Sequence, residues 1–208
     1  PIQLSTILKD LKRKKIEYVI MEASSHGLKQ NRLDGLIFDI GIFTNLSHDH
    51  LDYHKSMRNY LNSKLYLFNH LIKKKGDVIT DANITQIKEI KKISVKKKLK
   101  LNIISNKYSG LELVSHKFDN EKQILEVAVR NNIYKVELNL IGKIQIKNIL
   151  MALLAANKSG IDLKKIFKII HKIKPVEGRL EKIGKLKNNS KVILDYAHTP
   201  EALKLALL

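Results

Sequence analysis

Apolar residues change their spacing several times along this chain, and each change marks an element. Residues 5–15 carry Ile7, Leu8 and Leu11 at helical spacing, which predicts a first helix. Residues 17–21 then form a short apolar run that suits a buried strand, with Glu22 at its carboxyl end. A second strand is predicted over 36–44, with Asn45 just beyond it. Open α/β sheets place ligands at the carboxyl ends of their strands, so Glu22 and the loop 45–56 are the first places to look for chemistry. From Ser56, a favourable N-cap, the apolar positions Met57, Tyr60, Leu61, Leu65, Phe68, Leu71 and Ile72 predict a long helix.

Further strands are predicted at 77–80 and 101–104, with a lysine-rich helix or linker between them whose run 88–100 is a solvated face. Runs at 111–116, 124–129 and 133–140 predict a small antiparallel sheet, its last two strands separated by the turn-prone pair Asn131-Asn132. Helices follow over 145–158 and 162–173, with Gly160 as the stop between them. Lys174-Pro175-Val176-Glu177-Gly178 interrupts both periodicities and is the best linker candidate. A strand over 191–194 runs to Asp195, and Thr199-Pro200 supplies an N-cap and first-turn proline for a last helix. The order predicts an α/β fold, a mostly parallel sheet flanked by helices with a small antiparallel sheet attached.

Composition narrows the chemistry. No stretch approaches the roughly 20 apolar residues needed to span a bilayer, and the first residues lack the order of a signal peptide, so a cytoplasmic protein without membrane insertion is expected. The chain has no cysteine, so a metal would have to be held by His, Asp, Glu or a modified Lys, a donor set that favours a hard ion such as Mg²⁺. The net charge of +19 would ordinarily point to a polyanion. Only five of the 39 basic residues are Arg and aromatics are sparse, which argues against reading of nucleic-acid bases. A basic nucleic-acid-binding module is therefore the alternative from a different class, and no nucleic-acid partner is expected.

Ser47-His48-Asp49-His50-Leu51-Asp52-Tyr53-His54 packs three imidazoles and two carboxylates into one loop after a strand. It approaches the HxHxDH pattern of two-metal hydrolases but has Tyr53 where that pattern requires His. Lys64 falls on the same helical stripe as Met57, Tyr60, Leu61, Phe68 and Leu71, where the helix should face inward. Either its stem snorkels to the surface, or burial lowers its pKa and leaves a neutral amine able to take up CO₂ as a carbamate.

Together these residues carry a family resemblance. Met21 to Leu28, Gln30-x-Arg32, Phe43 to His54, and Lys64 fourteen residues after His50 closely resemble the central domain of the Mur ligases. Gly142 to Asn148, Gly178-Arg179-Leu180-Glu181 and Asp195 to Leu203 resemble later motifs in the same order, and the match is to the branch that adds a diamino acid.

The resemblance implies an ATP-dependent amide-bond ligase acting on UDP-MurNAc-L-Ala-D-Glu and a diamino acid, as a monomer; a folylpolyglutamate synthetase is the alternative within the superfamily. It implies Glu22, His50 and carbamylated Lys64 as Mg²⁺ ligands and catalytic residues. Ser24, Gln30 and Arg32 match substrate positions, and Asn148, Arg179, Asp195, Tyr196 and His198 match positions around ATP. Plainer roles stand beside these: Ser24 as a helix cap, Arg32 as a surface charge, Asp195 as a turn residue. Residues 1–176 would form the central domain and 177–208 the start of a Rossmann-like C-terminal domain.

His48, Ile144-Gln145 and Glu177 depart from the family pattern. No G-x-x-G-K-[ST] phosphate loop occurs, so the chain is expected to be an internal fragment, inactive alone, with that loop upstream of Pro1.

Overall fold

A computed structural model of the chain describes residues 2–104, 111–119, 122–129 and 132–207. Ahead of the main sheet lie α1 (Ile2–Arg13), which has no buried residue, and the short α2 (Ser25–Lys29). Parallel pairing needs a crossover, and two are present. β1 (Phe38–Phe43) leads through α3 (Leu51–His54), α4 (Met57–Tyr66) and a π-helical turn at Leu67–Leu71 to β2 (Ile72–Asp81). α5 (Ile87–Lys97) then leads to β3 (Lys100–Ile104), and the three strands lie parallel in the order β1-β2-β3.

The central strand explains the layers. Val78 and Ile79 are both fully buried but point to opposite faces, as a strand covered on both sides requires. Val78 packs with Leu28, Phe43, Leu65, Phe68 and Ile90 on the face covered by α2, α4, the π turn and α5. Gly41 permits this close packing, since a Cβ there would stand 2.8 Å from Ile72 Cδ1 and 2.9 Å from Phe68 Cε1.

Ile79 and Ile104 pack on the other face against a second, antiparallel sheet of β4 (Glu112–Asp119), β5 (Lys122–Val129) and β6 (Asn132–Leu138). α6 (Lys143–Lys158), α7 (Leu163–Ile169) and a 3₁₀ turn at Ile170–Lys172 complete that layer. Gly160 has φ +95° between α6 and α7, and Asp162 caps α7, accepting from Lys164 N and Lys165 N. Asn131 of the expected turn lies outside the described residues, while Asn132 begins β6.

After the exposed 174–177 stretch, β7 (Glu181–Lys185) and β8 (Lys191–Leu194) form an antiparallel hairpin, and α8 (Pro200–Leu207) follows. Thr199 Oγ1 accepts from Ala202 N at 3.2 Å, the expected cap. No helix among the described residues is long and apolar enough to cross a membrane.

The expected strand at 17–21 does not form. Residues 16–24 are irregular; Val19 is 46% and Ile20 98% exposed. A strand exists through its ladder, and among the described residues none pairs with this segment; Tyr18 OH donates to Ser159 O at 3.2 Å, and Met21 and Ala23 pack against the core. Periodicity missed β7, where Glu-Lys-Ile-Gly-Lys offers no apolar alternation, and the short helices α2 and α3, each five residues or fewer.

Gly142 enters α6 with φ +87° and ψ 140°, a region that only glycine occupies readily, and a Cβ there would lie 2.3 Å from Leu180 Cδ1. Gly142→Ala should therefore lower stability by about 1–3 kcal/mol, measured by urea denaturation, and an unchanged midpoint would mean the turn relaxes without strain.

Candidate functional site at the carboxyl end of the parallel sheet

β1 ends at Phe43, and the chain runs through Asn45 into the histidine-rich loop. His50 stands ahead of α3 in a left-handed conformation, φ +55°. Asp49 holds that bend, its Oδ1 accepting from His50 N at 2.8 Å. Ser56 caps α4 by accepting from Asn59 N at 3.2 Å, which aims the Lys64 stripe back toward the loop.

Lys64 is half-buried, as its stripe predicted. Its ammonium donates to Asn45 O at 3.3 Å and lies 5.3 Å from the centroid of Tyr60 and 5.9 Å from that of Phe43. Burial pushes its pKa below the ordinary lysine value, while Asp49 and Glu22 oppose the shift from across the site. Lys64 thus feels the charges of Asp49 and the exposed Glu22, while the His50 ring lies 5.8 Å from Tyr60 and His50 Nε2 3.6 Å from Asp49 Oδ2. Tyr60, buried and facing Asp49, has its pKa raised, first by burial and then by that carboxylate. Among the described residues no three His, Asp or Glu side chains gather tightly enough to hold a metal unaided.

Behind the loop is an aromatic cluster. His54 stacks on Tyr60 at 5.0 Å, and His26 lies within 4.2 to 5.3 Å of Tyr53, His50 and His54. Of these imidazoles His54 is 4% exposed, wedged between Ser25 Oγ at 3.0 Å and Ser63 Oγ at 3.4 Å. His48 is exposed.

The expected substrate residues surround α2. Ser24 is its N-cap, accepting from Gly27 N at 3.1 Å, so the plainer capping role is real. Gln30 Nε2 donates to Tyr53 OH at 3.0 Å, and Arg32 is exposed.

The expected nucleotide residues form a second group. Asn148 is exposed on α6; Gln145 Nε2 donates to Arg179 O at 3.4 Å, and the Arg179 guanidinium lies 5.1 Å over Tyr196. Asp195 is a turn residue as its plainer role implied: Oδ2 accepts from Leu180 N and Oδ1 from Ala197 N, both at 2.8 Å. His198 joins the two groups, its Nε2 3.5 Å from Asp49 Oδ2. Asp49 was visible in the sequence only as one acid among several; its pairing depends on residues 149 positions away.

Residues 1–156 match the family model described as the Mur ligase middle domain. The chain belongs to the Mur ligase family. This Mur ligase chain is 39% identical over 198 residues to the UDP-N-acetylmuramoyl-L-alanyl-D-glutamate–2,6-diaminopimelate ligase of Zymomonas mobilis, covering 95% of itself and 41% of that protein. It is 35% identical to the ligase of the same name from Rickettsia bellii, over 92% of itself and 40% of the relative. The Mur ligase chain thus spans about two-fifths of the length of the curated relatives it matches. A solved ligase of that name superposes with TM-score 0.73 at 27% identity, over 88% of this chain and 37% of the other. The MurF ligase of Thermotoga maritima, solved with ADP, shares the fold at TM-score 0.71 and 16% identity, over 89% of this chain and 41% of that one.

Burial lowers the pKa of His54 below the ordinary imidazole value, and the charges of His26, His50 and Lys29 act the same way, against Asp52. A lowered folded pKa means the unfolded chain binds the proton more readily. The stability held in a neutral His54 is therefore complete above its ordinary value and is lost as pH falls toward the folded one. Denaturation midpoints should drop as pH falls below the ordinary imidazole value, and His54→Gln should flatten that drop; an identical slope in the variant would acquit His54.

Proposed function

We propose that the complete protein is an ATP-dependent amide-bond ligase of peptidoglycan synthesis, acting as a cytoplasmic monomer. It joins a diamino acid, meso-diaminopimelate in our reading, to UDP-MurNAc-L-Ala-D-Glu. The observation that carries this is Lys64: a half-buried ammonium held against Phe43, Tyr60 and Asn45 O at the end of a parallel sheet, its pKa depressed by burial against the pull of Asp49 and Glu22. The names of the diaminopimelate ligases similar to this chain support the substrate assignment.

The donor set fits a hard divalent ion. Glu22 and His50 would supply one carboxylate and one imidazole, and since no three His, Asp or Glu side chains group as a metal site among the described residues, a further donor is needed. Neutral Lys64 attacking CO₂ and losing a proton becomes a carbamate, which replaces a positive charge with two oxygens and a negative one. Glu22, His50 and carbamylated Lys64 would then hold Mg²⁺, which when bound offsets the charge shared by phosphate and carboxylate. Because only the neutral amine reacts, carbamylation rises with pH, and burial brings that rise closer to neutrality.

The other residues divide the remaining tasks. The exposed Arg32 guanidinium can grip a carboxylate or phosphate with two parallel bonds. Ser24 Oγ accepts from Gly27 N and keeps its proton to donate, and Gln30 keeps its carbonyl oxygen after donating to Tyr53. On the nucleotide side we assign Asn148, Arg179, Tyr196 and His198 to the ATP cleft. Asp195 keeps a second lone pair on each oxygen for ribose hydroxyls. Residues 1–176 act as the central domain and 177–208 as the start of the next, an assignment supported by the exposed 174–177 stretch and the separate β7-β8 sheet.

In the reaction the terminal D-Glu carboxylate attacks the γ-phosphorus of ATP, and ADP departs with the electrons of the broken bond. The amine then adds to the acyl-phosphate carbonyl, and the tetrahedral intermediate collapses with loss of phosphate and a proton. Full-length enzyme given UDP-MurNAc-L-Ala-D-Glu, ATP and competing diamino acids should release ADP only as amide forms. Ligation of glutamate to a folate instead would replace this reading. Lys64→Ala should cut turnover by about two orders of magnitude or more, with partial recovery in added short carboxylic acids. Undiminished turnover in that variant would remove Lys64 from the chemistry.

A further inference from the structure

Asp81 closes β2 at 1% exposure, and the proposed chemistry makes no use of it. Its Oδ1 accepts from Asn83 N at 3.0 Å, while Oδ2 is buried without a hydrogen-bond partner. What reaches Oδ2 is the ammonium of Lys147 on α6, 2.5 Å away but off the direction a hydrogen bond needs, so charge holds the pair. A buried carboxylate cannot stay ionised alone at tolerable cost, which makes this attachment hard to break.

Other ties fix where α6 starts. The fully buried Gln123 donates to Leu140 O at 2.6 Å and to Gly142 O at 3.4 Å, holding the entry turn. The rotation of the helix about its own axis is set in the main by its buried face, Ile146 to Leu154, and two polar ties refine it in the first turns. Lys147 supplies one toward the sheet and Gln145, donating to Arg179 O, one toward the 178–181 segment. Asn148 follows Lys147 by about 100° around the helix, so a helix held at Lys147 presents Asn148 in one direction.

We infer that Lys147 and Asp81 are positioning residues for the nucleotide, refining the rotation of α6 and with it the Asn148 and Arg179 side of the cleft. This rests on the ligase reading. The test is steady-state kinetics and ADP calorimetry on the full-length enzyme with Lys147→Met, Lys147→Arg and the double variant Asp81→Asn/Lys147→Met. Lys147→Met should raise the KM for ATP about tenfold, leaving kcat and the KM for the UDP-linked substrate within about twofold. Lys147→Arg should restore the ATP KM. The double variant, which buries no unpaired charge, should recover thermal stability but not nucleotide affinity. An ATP KM in Lys147→Met equal to that of the wild type, or full recovery of affinity in the double variant, overturns the assignment while leaving the ligase reading intact. A wild type that neither binds ADP nor ligates overturns both.

Discussion

A parallel strand paired on both edges must be covered on both faces, and β2 is that strand. Val78, Ile79 and Thr80 are fully buried, and Thr80 satisfies its hydroxyl by donating to Phe43 O at 2.9 Å. The crossovers cover the Val78 face, but nothing in residues 36–104 covers Ile79 and Ile104. That task falls to β4–β6 and α6, which explains why a second sheet is inserted before the chain returns to the site. The same requirement brings α4 and α6 to the carboxyl end of the sheet from opposite sides. Lys64 thus arrives from one face and Lys147 from the other, each aimed at what the strand ends present.

The two lysines show how surroundings decide what a cation does. Lys147 reaches a carboxylate that is almost wholly buried and acts as its counter-ion. Lys64 faces two carboxylates as well, yet its pKa goes down, so burial against Phe43 and Tyr60 outweighs their attraction. A cation disfavoured in place is a poor structural anchor and a good candidate for losing its proton. The other ion pairs, such as Lys122–Glu137, are half-exposed and contribute little by comparison.

Much of the scaffold could be read from local pattern, because a parallel strand buried on both faces is a continuous apolar run and a capped helix begins at a recognisable residue. Phe38–Phe43 and Lys100–Ile104 are legible as short apolar runs even though both are edge strands, and α4 is legible from its Ser56 cap. The apolar run at 17–21 failed because pairing is decided by a distant partner, which composition does not encode. The stripe of α4 that carries Lys64 does turn toward the body of the protein, and Lys64 is half-buried on it. The motifs named Ser24 and Asp195, and the plainer cap and turn roles set beside them are the ones their backbone-amide bonds fill. Asp81 could not be found at all, since at the end of a strand it looks like any turn residue until Lys147 arrives across the sheet.

The two clusters at the sheet end are joined by few atoms, and this shapes how the site can work. From Arg179 the contacts pass to Tyr196, then to His198 at 5.1 Å between rings, and then to Asp49. Asp49 also fixes the backbone of His50 and lies within 3.6 Å of its ring. A shift of the 195–199 segment would therefore be felt at the carboxylate that shapes the His50 bend, without any contact through the sheet core. Tyr196 and His198 are more than half exposed, so this connection is held by few contacts and can be remade at small cost. The rigid part of the molecule, β2 with its two covers, fixes where Lys64 and α6 stand. The loosely held part is the 195–199 segment, which meets that fixed ground through His198 and Asp49, so any movement of the segment reaches the His50 bend by that one carboxylate.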